Sequence, residues 1–245
     1  MKQRYLLGIM GLLATGAGHR AQAQGSPVGW LKLSADRPLR GPVGLYTEIE
    51  TRQASAQLGA QYLGRVGLRW HVGRSFSLTG GYVLAQNECR AAPDASLLPE
   101  HRFYQEVALA DAAGALRAAH RLRVEERWLR PAPDAAFRFA PRLRYQLRLV
   151  VPLRRGGRLP VGGLYAVVAD EAFAALGARA GGLFEENRAS GGLGYRLNPA
   201  TTLELTYLHQ TQAAAAGRDS YRRNAVQFSV AYAPPMRLPL AKVTR

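Results

Sequence analysis

The feature that most constrains the fold of this chain is a regular alternation of apolar and polar side chains over segments of about ten residues. In 142–153 the odd-numbered positions hold Leu, Tyr or Val, whereas Arg or Gln occupies four of the positions between them. A period of two places successive side chains on opposite faces of a β-strand. Because this pattern recurs along the chain, we predict an all-β protein whose strands are apolar on one face and charged on the other.

The lengths and spacing of these segments predict a barrel. Strands in soluble sheets average about five or six residues, whereas strands that cross a membrane need about 9–11. The predicted strands are 42–52, 61–72, 76–87, 100–110, 115–129, 137–153, 159–170, 184–197, 201–212 and 221–233. Short connections alternate with longer ones at 53–60, 88–99, 130–136, 171–183 and 213–220. We therefore predict a single antiparallel up-and-down transmembrane β-barrel with tight turns at one rim and longer loops at the other.

The number of strands follows from a parity argument. Ten strands that start at residue 42 place both ends of the barrel at the same rim, as expected for an exported single-chain barrel. The segment 28–34, which contains Trp30, also has strand character. Counting it gives eleven, so we expect it to lie outside the barrel or to have an unrecognised partner. Ten strands are predicted, with twelve as the alternative.

The N-terminus has the features of a cleaved signal peptide. Charged residues at 1–4 precede an apolar run at 5–16 that is too short to span a bilayer, and a small-x-small site follows at 21–23. We predict a signal peptide at 1–24, one barrel domain at 25–233 and a C-terminal tail at 234–245. The expected location is the cell outer membrane. The expected partners are outer-membrane lipids, lipopolysaccharide and the outer-membrane assembly machinery.

The charge balance is strongly basic, with a formal net charge of +16 that falls to +13 once residues 1–24 are removed. A signal peptide argues against nucleic acid as the partner, and so does the placement of the arginines on one face of each strand. The single cysteine, Cys89, excludes an intrachain disulfide and a cysteine-based metal site. No cofactor or metal motif is present in the sequence, so none is expected.

The charged face of the strands is predicted to point into the barrel, because a charge on the lipid face costs about 2–4 kcal/mol near the bilayer midplane. The predicted lumen residues are Glu48, Glu50, Arg52, Arg65, Arg69, Glu100, Arg102, Glu106, Arg121, Arg123, Glu125, Arg127, Arg142, Arg144, Arg148, Glu186, Arg188, Arg196 and Glu204. Twelve arginines face seven glutamates in this set, so some guanidiniums need water, anions or loop carboxylates. The set predicts either an ion-pair network that plugs the lumen or a narrow, anion-favouring passage.

Two other functions stay open. A lipase or lipid A deacylase acting at the outer leaflet needs a serine, a histidine and an orienting group near the external rim. His101, His209 and Ser220 are the candidates for these roles, although no G-x-S-x-G motif is present. A surface-binding barrel would instead act through the loops at 88–99 and 171–183. The acidic pairs 170–171 and 185–186 flank the second loop and could hold a cation there, although paired acids of this kind are expected to be solvated.

Four stretches of the sequence, at 100–107, 121–129, 141–153 and 186–210, combine this alternation with fixed Arg and Glu positions. In these stretches the chain resembles a domain-of-unknown-function family of short outer-membrane barrels from Gram-negative bacteria. The likeness extends from Trp30 to about Tyr232. It implies the barrel fold and the membrane location, and it carries no activity or site residues to this chain.

Overall fold

The computed structural model describes residues 27–53, 59–73, 75–89, 96–154, 159–177, 183–214 and 220–235. The described residues contain no helix with the length and apolar character of a membrane span. The strands are β1 (Val28–Arg40), β2 (Val43–Gln53), β3 (Ala60–His71), β4 (Phe76–Cys89), β5 (Ser96–Ala113), β6 (Leu116–Leu129), β7 (Arg138–Phe139), β8 (Arg142–Pro152), β9 (Leu164–Ala175), β10 (Phe184–Arg196), β11 (Thr201–Gln212) and β12 (Tyr221–Tyr232).

These strands form one closed barrel. Each strand from β1 to β6 pairs antiparallel with the next, β6 continues to β8, and the antiparallel order then runs on to β12. The barrel closes where β1 and β12 pair in parallel, from Val28 beside Ala225 to Ala35 beside Tyr232. The two-residue β7 adds only to the end of β6. The result is an eleven-strand barrel with a single parallel seam.

The predicted all-β barrel is confirmed, and all ten predicted strands are present. The count differs because 28–34 belongs to β1, which is a full barrel strand. Successive strands in an up-and-down barrel alternate in direction, so the first and last of eleven run the same way. They close the barrel through a parallel pairing, which the parity argument did not consider.

The strand predicted at 100–110 is longer, since β5 runs from Ser96 to Ala113, and β4 extends to Cys89. The loop predicted at 88–99 is therefore reduced to 90–95. Two further strand boundaries differ from the prediction for reasons in the local sequence. The segment predicted at 137–153 divides into β7 and β8 at Pro141, which cannot donate a ladder hydrogen bond. The strand predicted at 159–170 begins instead at Leu164, because Pro160 and Gly162 form a turn in which Gly162 has a φ of 75°. β9 also ends later than predicted, at Ala175. The loop predicted at 171–183 therefore begins five residues later, at 176.

The connections define two different rims. The turn rim is defined by the strand ends at the β1–β2, β3–β4, β5–β6, β8–β9 and β10–β11 connections, and the loop rim by those at the β2–β3, β4–β5, β6–β8, β9–β10 and β11–β12 connections. Gly41, Gly73 and Gly114 have positive φ in the tight turns, which glycine adopts without steric cost. Because β1 is parallel to β12, the barrel begins at the loop rim and ends at the turn rim. The prediction that both ends of the barrel lie at the same rim is therefore wrong.

The two faces of the barrel wall have opposite chemistry. The outward face is apolar and accessible, with Ile49, Leu68 and Val168 at 62%, 58% and 57% exposure. The inward face is charged and covered, with Arg123 at 2% and Glu125 at 0%. This arrangement is the reverse of a soluble domain, in which apolar side chains are inside and charged side chains are in water.

Glycines on the inward face make room for large side chains. Gly67 and Gly81 lie opposite each other on β3 and β4, and the ring of Tyr104 covers both. A Cβ atom on Gly81 would lie 2.7 Å from the Cα of Gly67 and from the Tyr104 ring. The absence of a side chain at these two glycines therefore leaves room for the Tyr104 ring.

Candidate functional site

The lumen charges are organised around Glu125, which lies on the inward face of β6 and has no exposed surface. Arg142, directly opposite on β8, donates from Nε at 3.0 Å and from Nη2 at 2.5 Å to Glu125 Oε2. Arg144 donates from Nη1 at 2.7 Å to Oε1, and Arg123 approaches the same oxygen at 3.6 Å. Three guanidiniums thus surround one buried carboxylate, which compensates the cost of removing it from water.

Two more carboxylates extend this centre across neighbouring strands. Glu106 accepts a bond from Arg123 Nε at 2.9 Å and lies 3.5 Å from Arg69 Nη2. Glu171 accepts bonds from Arg121 Nη2 at 2.8 Å and from Arg144 Nε at 3.0 Å. Since Arg123 and Arg144 each contact two carboxylates, strands β3, β5, β6, β8 and β9 are joined through one continuous network.

The remaining acidic residues of the lumen also have cationic partners. On β2, Glu48 is paired with Arg65 and with Lys32 at 3.7 Å, and Glu50 accepts a bidentate pair from Arg52. Asp36, at the turn-rim end of β1, accepts a bond from Arg69 at 2.5 Å. These contacts tie β1, β2 and β3 together on the seam side of the barrel.

Near the loop rim, Glu100 accepts bonds from Arg102 Nε at 2.9 Å and from Arg127 Nε at 2.6 Å. Glu186 is paired with Arg188 and accepts a bond from Gln210 Nε2 at 2.7 Å. All four of the charged groups Glu100, Arg102, Arg127 and Glu186 are buried. The charged network therefore extends to the loop-rim end of the lumen.

Many of the lumen arginines also pack on three inward aromatic rings. Trp30 is contacted by Arg52, Arg188 and Arg223, with guanidinium carbons 4.8 to 5.6 Å from the ring centroid. The Phe173 ring is contacted by Arg142, Arg144 and Arg188 at 4.6 to 5.0 Å. The Tyr104 ring is contacted by Arg65 and Arg123 at 5.6 and 4.7 Å. Cation–π contacts of this kind stabilise these guanidiniums in addition to the ion pairs that most of them make, a contribution that the sequence analysis did not include.

A polar cavity of about 470 Å³ runs along this network, from Trp30, Arg52 and Arg188 in the loop-rim half to Ala108, Thr202 and Ala231 near the turn rim. Its lining includes eight cationic side chains, five glutamates and small side chains such as Ser190, Ser229 and Ala108. A second space of about 570 Å³ at the turn rim shares Arg148 and Glu204 with it. Arg148 and Tyr165 both bond Glu204 there, the latter at 2.6 Å. The lumen is thus roomier toward the turn rim than toward the loop rim.

Most of the residues named from the sequence for the lumen lie in these contacts. Arg196 is the exception, since it donates to the backbone oxygens of Leu159 at 2.7 Å and Pro199 at 3.3 Å, at the turn rim. The sequence reasoning missed several lumen residues: Lys32, Asp36, Glu171, Gln210, Arg223 and the three aromatic rings. Those on β1 and β9 were missed because these strands were left out or misplaced, although each residue follows the alternation of its own strand.

The acidic pairs at 170–171 and 185–186 are not the solvated loop residues that were expected. Glu171 and Glu186 are buried in the lumen, and Glu185 is paired with Arg127 at 3.2 Å. Asp170 points outward from β9 and accepts a hydrogen bond from Asn187 at 3.0 Å. Within the described ranges, no group of three or more His, Cys, Asp or Glu side chains is arranged to hold a metal ion.

The candidate histidines lie on the outward face, on strands five steps apart around the barrel. His101 Nδ1 is 2.5 Å from the Tyr82 hydroxyl, and its ring packs edge-on against Phe137. His209, three residues from the loop-rim end of β11, bonds Asn224 on β12 at 2.8 Å through Nδ1.

The other nitrogen of His209, Nε2, lies 3.4 Å from the hydroxyl oxygen of Thr211. Ser220 is exposed one residue before β12, and the hydroxyl beside His209 belongs to Thr211 instead. The signal for this pair was present in the sequence, because a His-x-Thr triplet in a strand places both side chains on one face. The serine predicted for this role, Ser220, lies outside β11 and does not share this face.

Comparison with known proteins identifies the family but not an activity. The searches of curated proteins and of solved structures gave no match. A family model described as "Protein of unknown function (DUF2490)" matches residues 28–222, which covers every strand from β1 to β11 and the beginning of β12. The chain therefore belongs to the DUF2490 family.

Proposed function

We propose that this protein is an integral barrel of the Gram-negative outer membrane, in which the charged network closes the lumen and braces the wall. The observation that carries the proposal is the reversal of the two faces, with apolar side chains outside and charges inside. Barrel strands of 11 to 18 residues are long enough to cross a hydrocarbon layer. A soluble protein would expose this much contiguous apolar surface only at a large interface.

Outward aromatic side chains support the same proposal. Tyr62, Trp128 and Phe184 lie near the loop rim, and Trp70 and Tyr195 lie near the turn rim. Aromatic girdles of this kind flank the apolar band of outer-membrane barrels, where one part of the ring is in lipid and the other meets water. In this orientation the loops face the exterior, the tight turns face the periplasm, and the band contacts outer-membrane lipids and lipopolysaccharide. The assembly machinery of that membrane is the expected insertion partner.

The contacts of the lumen favour a plug over an open passage. A solute crossing from the loop rim would have to displace buried ion pairs at Glu100 and Glu186 and then the group around Glu125. Breaking a buried pair leaves an uncompensated charge, which costs several kcal/mol. The competing function is a narrow anion-favouring passage, and the cationic lining of the 470 Å³ cavity is the observation that favours it.

Location is tested by fractionation and by gel mobility. We expect the protein to be recovered in detergent-extracted outer membranes and to migrate faster unheated than heated, as a folded barrel does in dodecyl sulfate. Recovery as a free periplasmic protein, with no difference between heated and unheated samples, would contradict the proposed location.

Closure of the lumen is tested by recording currents from the refolded protein in a planar bilayer under a potassium chloride gradient. The wild-type barrel is expected to give no stepwise conductance. The triple variant Glu125→Ser, Arg142→Ser, Arg144→Ser removes the centre of the network and should conduct, provided that its heat-dependent mobility shows a folded barrel. Anion-selective steps from the wild-type protein would establish the passage instead of the plug.

A further inference from the structure

We infer that Thr211, His209 and Asn224 form a hydrolytic site for fatty-acyl esters on the outward face of the barrel, beside the loop rim. The inference concerns an activity separate from lumen closure. It rests on the proposed membrane location only for the source of the substrate, because the chemistry itself depends on the three side chains.

The geometry is that of a nucleophile, a base and an orienting group. His209 and Thr211 are two residues apart on β11 and share its outward face, and Asn224 is the direct partner of His209 on β12. Asn224 Oδ1, at 2.8 Å, can only accept a hydrogen bond, so Nδ1 of His209 carries the proton. The neutral imidazole then presents the lone pair of Nε2 to the Thr211 hydroxyl at 3.4 Å. Contacts between nucleophile and base are commonly this long before substrate binds.

The neighbours of Thr211 supply hydrogen-bond donors. Asn187 on β10 and Arg222 on β12 are its direct partners on either side of β11. The amide nitrogen of Asn187 donates to Asp170 Oδ1 at 3.0 Å, which fixes the orientation of that side chain. The same nitrogen lies 3.5 Å from the backbone oxygen of Glu171, and Arg222 has a partner of its own. Stabilising negative charge on a carbonyl oxygen bound at Thr211 therefore requires one of these donors to change partner when the substrate binds.

The surface below the site suits an acyl chain. Small residues on β10, Ala189 and Gly191, are the direct partners of His209 and Tyr207 on β11. A Cβ atom added to Gly191 would meet only one backbone oxygen within 4 Å, so the surface is open there. Tyr207 and Val226 are exposed outward beside these small residues. A polar catalytic group that adjoins an exposed apolar surface fits an ester with a long hydrocarbon tail.

The reaction that this arrangement supports balances without a further cofactor. Thr211 Oγ attacks the ester carbonyl carbon while its proton moves to His209 Nε2, giving a tetrahedral oxyanion. The oxyanion collapses, the C–O bond to the alcohol breaks, and His209 returns the proton to the departing alkoxide. Water then attacks the acyl-threonine ester, again giving its proton to His209, and the second collapse releases a carboxylic acid and restores the Thr211 hydroxyl.

The other outward histidines provide controls. His101 bonds the Tyr82 hydroxyl at 2.5 Å, and His120 bonds the Tyr145 hydroxyl at 2.8 Å. In both cases the partner is a phenol, and neither pair has the amide that fixes the tautomer at His209. His120→Ala therefore removes an outward imidazole without touching the proposed site.

The test uses the refolded full barrel in detergent micelles with p-nitrophenyl butyrate as the first substrate. We expect kcat/KM to fall at least 100-fold in Thr211→Ala and in His209→Ala and to stay unchanged in His120→Ala. Thr211→Ser should retain the activity, because it keeps the hydroxyl. Asn224 is a positioning residue, so Asn224→Ala should lower kcat about 10-fold at constant KM, and Asn224→Asp should restore it. Heat-dependent mobility identifies any variant that has not folded.

A covalent probe tests the wild-type protein directly. A fluorophosphonate should modify Thr211, identified by peptide mass spectrometry, and the modification should disappear in His209→Ala. Fatty acid released from phosphatidylethanolamine micelles would identify a glycerophospholipid as the substrate, and release from lipopolysaccharide would identify an acylated saccharide lipid. Absence of both ester hydrolysis and labelling would overturn the site, and hydrolysis of the soluble ester alone would overturn the lipid as substrate. Failure of fractionation to place the protein in the membrane would contradict the location and leave the ester assay to decide the site.

Discussion

At the scale of single residues, Gly80 and Gly81 show how differently the two faces of the wall respond to one added methyl group. A Cβ atom on Gly80 meets nothing within 4 Å, whereas one on Gly81 meets the backbone of β3 and the ring of Tyr104. We expect Gly81→Ala to lower the free energy of unfolding by about 1–3 kcal/mol through overpacking. Gly80→Ala should leave it unchanged or slightly higher, because alanine has fewer unfolded conformations. Urea unfolding of both variants in micelles measures the difference, and equal losses would contradict the assignment of faces.

Arg144 is the residue whose loss should reveal whether the network holds the barrel together. It bonds Glu125 and Glu171 and packs over the Phe173 ring at 4.6 Å. Arg144→Ala leaves both carboxylates buried with fewer cations, so we expect about 3 kcal/mol of destabilisation. The matched control is Arg148→Ala, whose side chain is 30% exposed and pairs with Glu204, and it should cost about 1 kcal/mol or less.

A second substitution separates lost charge compensation from lost packing. In the double variant Arg144→Ala with Glu171→Gln, one of the two carboxylates that Arg144 pairs with is replaced by a neutral amide. Part of the lost stability should therefore return. A double variant no more stable than Arg144→Ala would show that water enters the lumen and solvates the carboxylate. The thermal unfolding midpoints of the single and double variants, measured in the same detergent, decide between these results.

At the scale of strands, the alternation of faces on the neighbouring strands β6 and β8 predicts opposite outcomes for two charged substitutions. Leu122 on β6 is exposed on the outward face, and Gln146 on β8 lines the inner cavity beside Glu171. Leu122→Arg should block assembly, since a charge in the middle of the lipid face costs about 2–4 kcal/mol. Gln146→Arg adds the same charge where a carboxylate and space are available, so it should assemble. Yields of the heat-modifiable form in the outer membrane give the measurement, and similar yields for the two variants would refute it.

The strands also show how much the sequence could determine. Alternation was sufficient for β2 to β6, because each has apolar side chains on its outward face and mostly charged, polar or small residues at the positions between them. It was insufficient for β9, where small alanines on both faces leave the start of the strand undefined until Gly162 fixes the turn. At the site, alternation put His209 and Thr211 on one face. The pairing of His209 with Asn224 depends on the β11–β12 register, which a single strand does not encode.

At the scale of the whole molecule, the parallel seam decides how the barrel closes. The row Ile49, Leu33 and Val230 runs across β2, β1 and β12 on the outward face. Neighbouring strands lie about 4.8 Å apart, within the Cα range of a disulfide, whereas strands two apart are separated by roughly twice that distance. A barrel of ten strands would instead join β2 to β12 and leave β1 outside, so cysteine pairs in this row distinguish the two closures.

We expect Leu33→Cys with Val230→Cys to form a disulfide on oxidation, in a background where Cys89→Ser removes the native thiol. The control pair Ile49→Cys with Val230→Cys should stay reduced, because β1 lies between the two positions. Peptide mass spectrometry under non-reducing conditions detects each cross-link in the folded, heat-modifiable protein. If the control pair cross-linked and the seam pair did not, β1 would lie outside the wall. Trp30 would then lie outside the lumen, and its contacts with Arg52, Arg188 and Arg223 would not form. An eleven-strand barrel therefore depends on one parallel pairing, and this pairing also places Trp30 inside the lumen.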